Sequence, residues 1–255
     1  MMHIERNLAV FRAIGLENLQ TIRLMKRHDT KYLLHRNRLS SVLEYLYEHY
    51  EILEIDKKRS FRYDTLYYDT EDYYFYSQHH NQKLNRHKVR FRKYMDIDRC
   101  YFEVKFKSNK EITEKNRLLL GGCEVDCGMS EKLKEFARAY IPDEGGIIVE
   151  GICPRVRIGY SRITLANRLD RERLTFDLNL RYENANSAGC SLDDLVIAEL
   201  KQESFSRNSP FIQCFRDMRI FPAKFSKYCT GVALTERNVK TNRFKKRLLQ
   251  LEKYL

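Results

Sequence analysis

The chain has 255 residues, with 47 Lys+Arg against 35 Asp+Glu and a formal charge of +12. Hydrophobic residues at 43% are enough for a core, which excludes intrinsic disorder, and 4 Pro with 10 Gly exclude collagen-like or linker-rich chains. No apolar run approaches the ~18 residues of a membrane helix, the charged N-terminus lacks a signal-peptide core, and seven cysteines without a Cys-x-x-Cys give no zinc or disulfide framework, so the expectation is a reduced, cytoplasmic protein.

Residues 1–25 read as a short helical or irregular leader, and 26–36, KRHDTKYLLHR, as a strand. A helix follows, with Ser41 and Glu44 as a capping box and Leu39, Val42, Leu43, Leu46, Tyr47 and Tyr50 on one face. Residues 61–76 alternate aromatics and acids as a strand does, and the run Tyr67–Tyr76 reads as strand packing. HKVRFRKY at 87–94 and YFEVKFKS at 101–108 are strands, and Glu124 and Asp126 mark a further strand pair. A second helix begins near Ser130, carries Leu133, Phe136, Ala137 and Tyr140 on one face and stops at Pro142, with a turn at 143–146. Residues 147–201 hold several strand-like runs, and Pro222 opens a third helix. Residues 236–255 form a basic fourth helix, which a stripe of Phe244, Leu248 and Leu251 docks on the exterior. No linker or repeat divides the chain, so it reads as a single domain over 1–255 with its core at about 22–235.

Side chains on a strand alternate between faces. Arg27, Asp29 and Lys31 therefore share a face, as do Lys88, Arg90 and Arg92, and Glu103, Lys105 and Lys107. Arg162 lies beside Tyr160, Arg173 beside Thr175 and Asp177, and Lys201 beside Glu199. One such face is ordinary for a half-solvated antiparallel sheet. Here an acid-x-Lys unit recurs at Asp29-x-Lys31, Glu103-x-Lys105 and Glu199-x-Lys201, and Arg or Lys fills the same face of other strands. The joint pattern predicts one charged, concave interior with apolar residues outside, under the helices. Lys224 and Lys227 of the third helix bring that interior to eleven cations against three acids. Crowded cations need counter-charge, and a phosphate chain supplies it to Arg forks and Lys point charges. The few acids suit Mg²⁺ or Mn²⁺, which bind through one or two carboxylates plus phosphate oxygens.

In chain order, TKYLLH (30–35), LYYDTED (66–72), HKVRFRKY (87–94), FEVKFK (102–107), YSR (160–162), RLTFD (173–177), IAELK (197–201) and PAKFSKYCTGVAL (222–234) resemble the catalytic domain of the vacuolar transporter chaperone (VTC) family. These are polyphosphate polymerases of the triphosphate tunnel metalloenzyme, CYTH-like superfamily. The resemblance implies an α+β fold: a closed antiparallel β-barrel tunnel of about eight strands with a charged interior and helices packed outside. It implies catalytic roles for Lys88, Arg90, Arg162, Glu199, Lys224 and Lys227, and phosphate binding by Lys31, Arg92, Lys105, Lys107, Arg173, Lys201 and Ser226. Glu199 matches the family's metal-binding glutamate, and Glu103 stands as a second metal candidate. Two positions depart from the pattern. Asp29 replaces a longer Glu, which weighs against a metal role there, and Lys88 stands where Arg is usual in some members.

The implied reaction moves the γ-phosphoryl group of ATP onto a growing polyphosphate chain, seeded by pyrophosphate and dependent on Mn²⁺ or Mg²⁺. The alternatives are an inorganic triphosphatase or nucleoside triphosphatase of the same fold, with Glu103 or Asp29 activating water, and a non-catalytic polyphosphate-binding module. No nucleic-acid signature is present. Translocation of product would require a membrane-associated partner chain, since no membrane helix is fused here.

Overall fold

The computed structural model describes residues 2–21, 28–110, 112–121, 128–142, 147–169 and 171–254. Arg27, Glu124, Asp126 and the 143–146 turn lie outside them. Among the described residues there are eleven strands: β1 Arg12–Ile14, β2 His28–His35, β3 Glu51–Leu53, β4 Phe61–Asp69, β5 Arg86–Tyr94, β6 Arg99–Lys107, β7 Thr113–Leu120, β8 Cys153–Asn167, β9 Glu172–Asn184, β10 Gly189–Leu192 and β11 Leu195–Gln202. The helices are α1 Met2–Ala9, α2 Leu16–Thr21, α3 Leu39–Leu46, α4 Tyr74–His80, α5 Glu131–Arg138, α6 Ile147–Glu150, α7 Pro210–Asp217, α8 Lys227–Thr235 and α9 Lys245–Leu251.

The fold is α+β. Eight strands run in the order β2-β11-β9-β8-β4-β5-β6-β7, each antiparallel to its neighbours. The expected closure is absent as a ladder. Among the described residues β2 and β7 end the path and are not paired with each other, although side chains of both face one cavity. The helices cover the outside, as the alternation requires. Val89, Phe91, Phe102 and Val104 pack under Leu133 and Ala137 of α5. Tyr32, Leu34, Phe176 and Val196 pack against α3 and α7. Val156, Ile158 and Tyr182 lie under Tyr228 and Val232 of α8, with Leu251 of α9 in the same cluster.

Several boundaries differ from the sequence reading. The helix at α3 starts before Ser41, so Ser41 and Glu44 lie inside it and the capping box does not form. Strand β4 ends at Asp69, where the chain turns. The Asp69 carboxylate accepts from the backbone N–H of Thr70 (2.9 Å), Phe75 (2.8 Å) and Tyr76 (2.8 Å) and starts α4. Half the aromatic run is thus helical. Pro222 opens no helix. It bridges to Tyr32 of β2, and α8 begins at Ser226, whose side chain caps Cys229 N–H at 3.2 Å. Helix α7 went unread, although Ser209 caps it and Pro210 occupies its first turn. The basic tail is one short helix, α9, between single 3₁₀ turns at 242–244 and 252–254.

Gly231 sets how closely α8 approaches the sheet. A Cβ there would stand 2.7 Å from Tyr182 Cδ1 and 2.9 Å from Val156 Cγ1. Gly231→Val should therefore cost about 1–3 kcal/mol of stability in a denaturant titration, the usual penalty of overpacking.

Candidate functional site

The inner face of the curled sheet encloses a cavity of about 820 Å³. Strand periodicity decides what lines it. From one end of the path β2 contributes Asp29 and Lys31, β11 Glu199 and Lys201, and β9 Arg173 and Thr175. From the middle come Tyr160 and Arg162 of β8 and Tyr63 and Tyr67 of β4. Strand β5 adds Lys88, Arg90 and Arg92, β6 adds Lys105, and β7 adds Lys115 and Arg117. The start of α8 adds Phe225, Ser226 and Lys227. Eleven cations thus line the cavity against two carboxylates, Asp29 and Glu199.

Three acids organise the cations, each holding two. Glu199 pairs with Lys31 and, at 2.9 Å, with Lys201, which also reaches Asp29 at 3.1 Å. Glu103 pairs with Arg90 at 2.6 Å and with Lys115. Asp177 accepts from Arg162 Nε at 2.5 Å and Nη2 at 2.8 Å, and from Lys227. Burial alone would raise these carboxyl pKa values, but the cations outweigh it. Arg90, Arg92 and Lys115 bring Glu103 to about 2, and Arg162 and Lys227 bring Asp177 to about 2. Lys201, Lys31 and Arg162 hold Glu199 well below the usual carboxylate range. All three stay ionised at neutral pH.

Lys88 and Arg92 reach hydroxyl groups. Lys88 donates to Ser226 Oγ at 2.9 Å, and Arg92 donates to Thr65 Oγ1 at 3.4 Å and lies over the Tyr63 ring, 5.7 Å from its centroid. Burial, with Lys88 and Arg90 nearby, pushes Lys105 down to about 7. Burial likewise lowers Lys115 to about 8, despite Glu103. Lowered lysine pKa values are the response of crowded like charges in a low dielectric.

Of the residues singled out from sequence, the structure brings Lys31, Lys88, Arg90, Arg92, Lys105, Arg162, Arg173, Glu199, Lys201, Ser226 and Lys227 to this cavity. Three it does not. Lys224 is exposed: Ala223 N–H bonds to Lys31 O at 2.7 Å, and alternation from there turns Phe225 and Lys227 inward and Lys224 out. Lys107 stands on the last rung of β6, opposite Arg86 and Thr113, and is not part of the wall. Glu103 is 1% exposed between Arg90 and Lys115 and is not part of the cavity lining, which weighs against its reading as a metal ligand. Sequence reading missed Lys115 and Arg117, because TEKNRLLL has no apolar residue opposite its charges until Leu118. It also passed over Asp177, which already shared a face with Arg173 and Thr175.

Glu199 suits a divalent cation. It lines the cavity and is ionised, with Lys31 on one oxygen and Lys201 on the other, so an ion there would take the place of one of these ammonium groups. Among the described residues no three His, Cys, Asp or Glu side chains converge. An ion on Glu199 would therefore draw its other ligands from substrate oxygens and water, the usual habit of Mg²⁺. No helix of the described residues is long and apolar enough to cross a membrane.

Among solved structures the chain is similar to a candidate adenylyl cyclase from Hippeastrum, described as having a dominant triphosphatase activity, with a TM-score of 0.51 at 14% identity, covering 84% of this chain and 98% of that one. A candidate adenylate cyclase from Bacillus halodurans gives 0.47 at 13% identity over 86% of this chain and 99% of that one. A protein of Pyrococcus horikoshii gives 0.44 at 12% identity over 82% and 100%. At such identities the likeness is one of fold. No curated protein sequence matches the chain. A sequence profile of the VTC domain matches residues 26–236, spanning all eight strands of the path in full, and the chain therefore belongs to the VTC domain family.

Proposed function

We propose that this chain, read as one domain, is a phosphotransferase that extends inorganic polyphosphate from ATP. The observation that carries the reading is the cavity, where eleven cations face two carboxylates, Asp29 and Glu199, both less buried than Glu103 and Asp177. Membership of the VTC domain family supports the same reading.

The transfer breaks the bond between the γ-phosphorus and the β–γ bridging oxygen and forms one to a terminal oxygen of the phosphate chain, releasing ADP. The attacking oxygen is already ionised, so the protein's task is alignment and charge stabilisation. Arg162 and Lys227 share Asp177, which fixes their spacing. Arg90 is fixed in the same way by Glu103. Lys88 and Ser226 meet across the cavity at the start of α8, where helix N–H groups and cations together favour an anion. A Mn²⁺ or Mg²⁺ ion held by Glu199 would supply further neutralisation of phosphate charge when bound.

A triphosphatase is the second reading, favoured by the activity described for the Hippeastrum protein. It needs a base for water. Glu103 is ill suited, being 1% exposed and paired with Arg90 and Lys115, and Asp29 is tied to Lys201. Incubation with ATP, pyrophosphate and Mn²⁺ or Mg²⁺, followed by phosphorus NMR, separates the readings. Internal-phosphate signal should grow with time. Orthophosphate without chain growth would move the assignment to a hydrolase, and no turnover with tight polyphosphate binding would leave a binding module.

Bound phosphate should return protons to Lys105 and Lys115, raising their pKa values from about 7 and about 8. Binding at neutral to mildly alkaline pH then consumes protons, so affinity falls as pH rises above 7. Calorimetry of tripolyphosphate in buffers of different ionisation heat should show net proton uptake.

A further inference from the structure

Tyr67 sits in the middle of β4 with its ring stacked on Tyr228 of α8, at 5.0 Å between centroids and 22° between planes. It lines the cavity and is only 5% exposed. Arg90 Nη1 donates to its hydroxyl oxygen at 3.0 Å, while Glu103 takes the rest of the guanidinium, with Nε and Nη2 both at 2.6 Å. The charged groups acting on Tyr67 are Arg90, Arg92 and Lys88, all donors without acceptor capacity. The phenol thus accepts a hydrogen bond, and among the described residues none accepts its proton. Phe would fill the same stack, so the hydroxyl is the part that packing does not explain.

We propose that Tyr67 is a substrate-binding residue: Tyr228 and Arg90 fix its ring so that the hydroxyl donates a hydrogen bond to a phosphate oxygen of the polyanion in the cavity. This rests on the phosphate-chain reading above. Among point-like ammonium groups the phenol is a neutral, directional donor. It can align a chain of phosphates without adding to the repulsion of the empty cavity.

Loss of its proton would reverse the contact. Burial raises the Tyr67 pKa, but Arg90, Arg92 and Lys88 outweigh it and bring it below the usual 10. The other phenols near it, Tyr160 of β8, Tyr182 of β9 and Tyr228 of α8, are shifted the opposite way, upward, by burial. Lys105 and Lys115 titrate there too, but equally in a Tyr67 variant.

The test compares wild type with Tyr67→Phe by calorimetry, using inorganic tripolyphosphate without metal, from about pH 7 to about pH 10. At neutral pH the variant should bind roughly ten- to a hundredfold more weakly, the effect of one hydrogen bond to a charged group. The gap should close as pH rises and the wild-type phenol ionises. Equal affinities at neutral pH, or a gap constant with pH as a purely structural role would give, overturn the proposal. A wild type that binds no tripolyphosphate overturns the phosphate reading and this one with it. Should the variant not fold, the wild type decides by ultraviolet titration. An early tyrosinate step that tripolyphosphate moves to higher pH supports the contact, and a step that does not move sinks it.

Discussion

Asp177→Asn should lower stability by about 3–5 kcal/mol, the cost of stranding buried charges when their partner is removed. Arg162 and Lys227 meet on the Asp177 carboxylate, which is 1% exposed. The amide keeps the shape and some hydrogen bonding but leaves two neighbouring cations without their anion. The folded-state pKa of Asp177, about 2, lies below the ordinary 3.8. Its contribution is therefore complete above about pH 4 and lost as pH falls through 2. Urea titrations at neutral pH and near pH 3 should show the gap between variant and wild type narrowing on acidification. Tripolyphosphate should restore part of the lost stability at neutral pH, because a ligand that binds only the folded state stabilises it by mass action and here also supplies the missing charge. A loss that ligand leaves untouched would mean that Asp177 matters only for packing.

Glu199→Gln should reduce metal-dependent transfer by about 10²–10³-fold, the scale on which a single electrostatic element of a phosphoryl-transfer site acts. The same change should leave tripolyphosphate binding in metal-free buffer undiminished or tighter, because it removes a negative charge from a cation-rich cavity. That split between turnover and metal-free affinity is the informative part. If Glu199 only pinned Lys31 and Lys201, both quantities would fall together. Steady-state rates over a Mn²⁺ titration, with calorimetry in the presence of chelator, measure the two sides.

Most of the wall was legible because strands write their faces into the sequence at a period of two. Lys88, Arg90 and Arg92 against Val89 and Phe91 require no tertiary knowledge to separate. What alternation cannot supply is depth. Glu103 and Glu199 occupy equivalent acid-x-Lys units, yet Glu103 is 1% exposed between Arg90 and Lys115 while Glu199 faces the cavity. Their difference comes from β7, a strand that was not recognised because its own apolar face is thin. Lys224 failed for a related reason. Its place depends on the bridge between Pro222 and Tyr32, a contact between residues 190 positions apart in the chain that no local pattern announces. Closure failed because it is a property of two strand edges, and neither edge carries a sign of what it lacks.

The pairing of β2 with β11 also bears on the order in which the molecule is made. Strand β2 finds its ladder in residues 195–202, and the Lys31–Glu199 pair spans 168 residues. Strands β5, β6 and β7 are hairpin neighbours and can form early, each closing a short loop. A contact of such long separation forms late and slowly, since loop-closure entropy must be met before the contact rewards it. On a ribosome, β4 to β7 would stand complete while Glu199 and Lys227 were still unsynthesised. The cations of the two halves are then far apart and bathed in water, where their repulsion is slight. They come together as β8 pairs with β4 and β11 docks between β2 and β9, so the phosphate site is assembled by the long-range pairings of the fold.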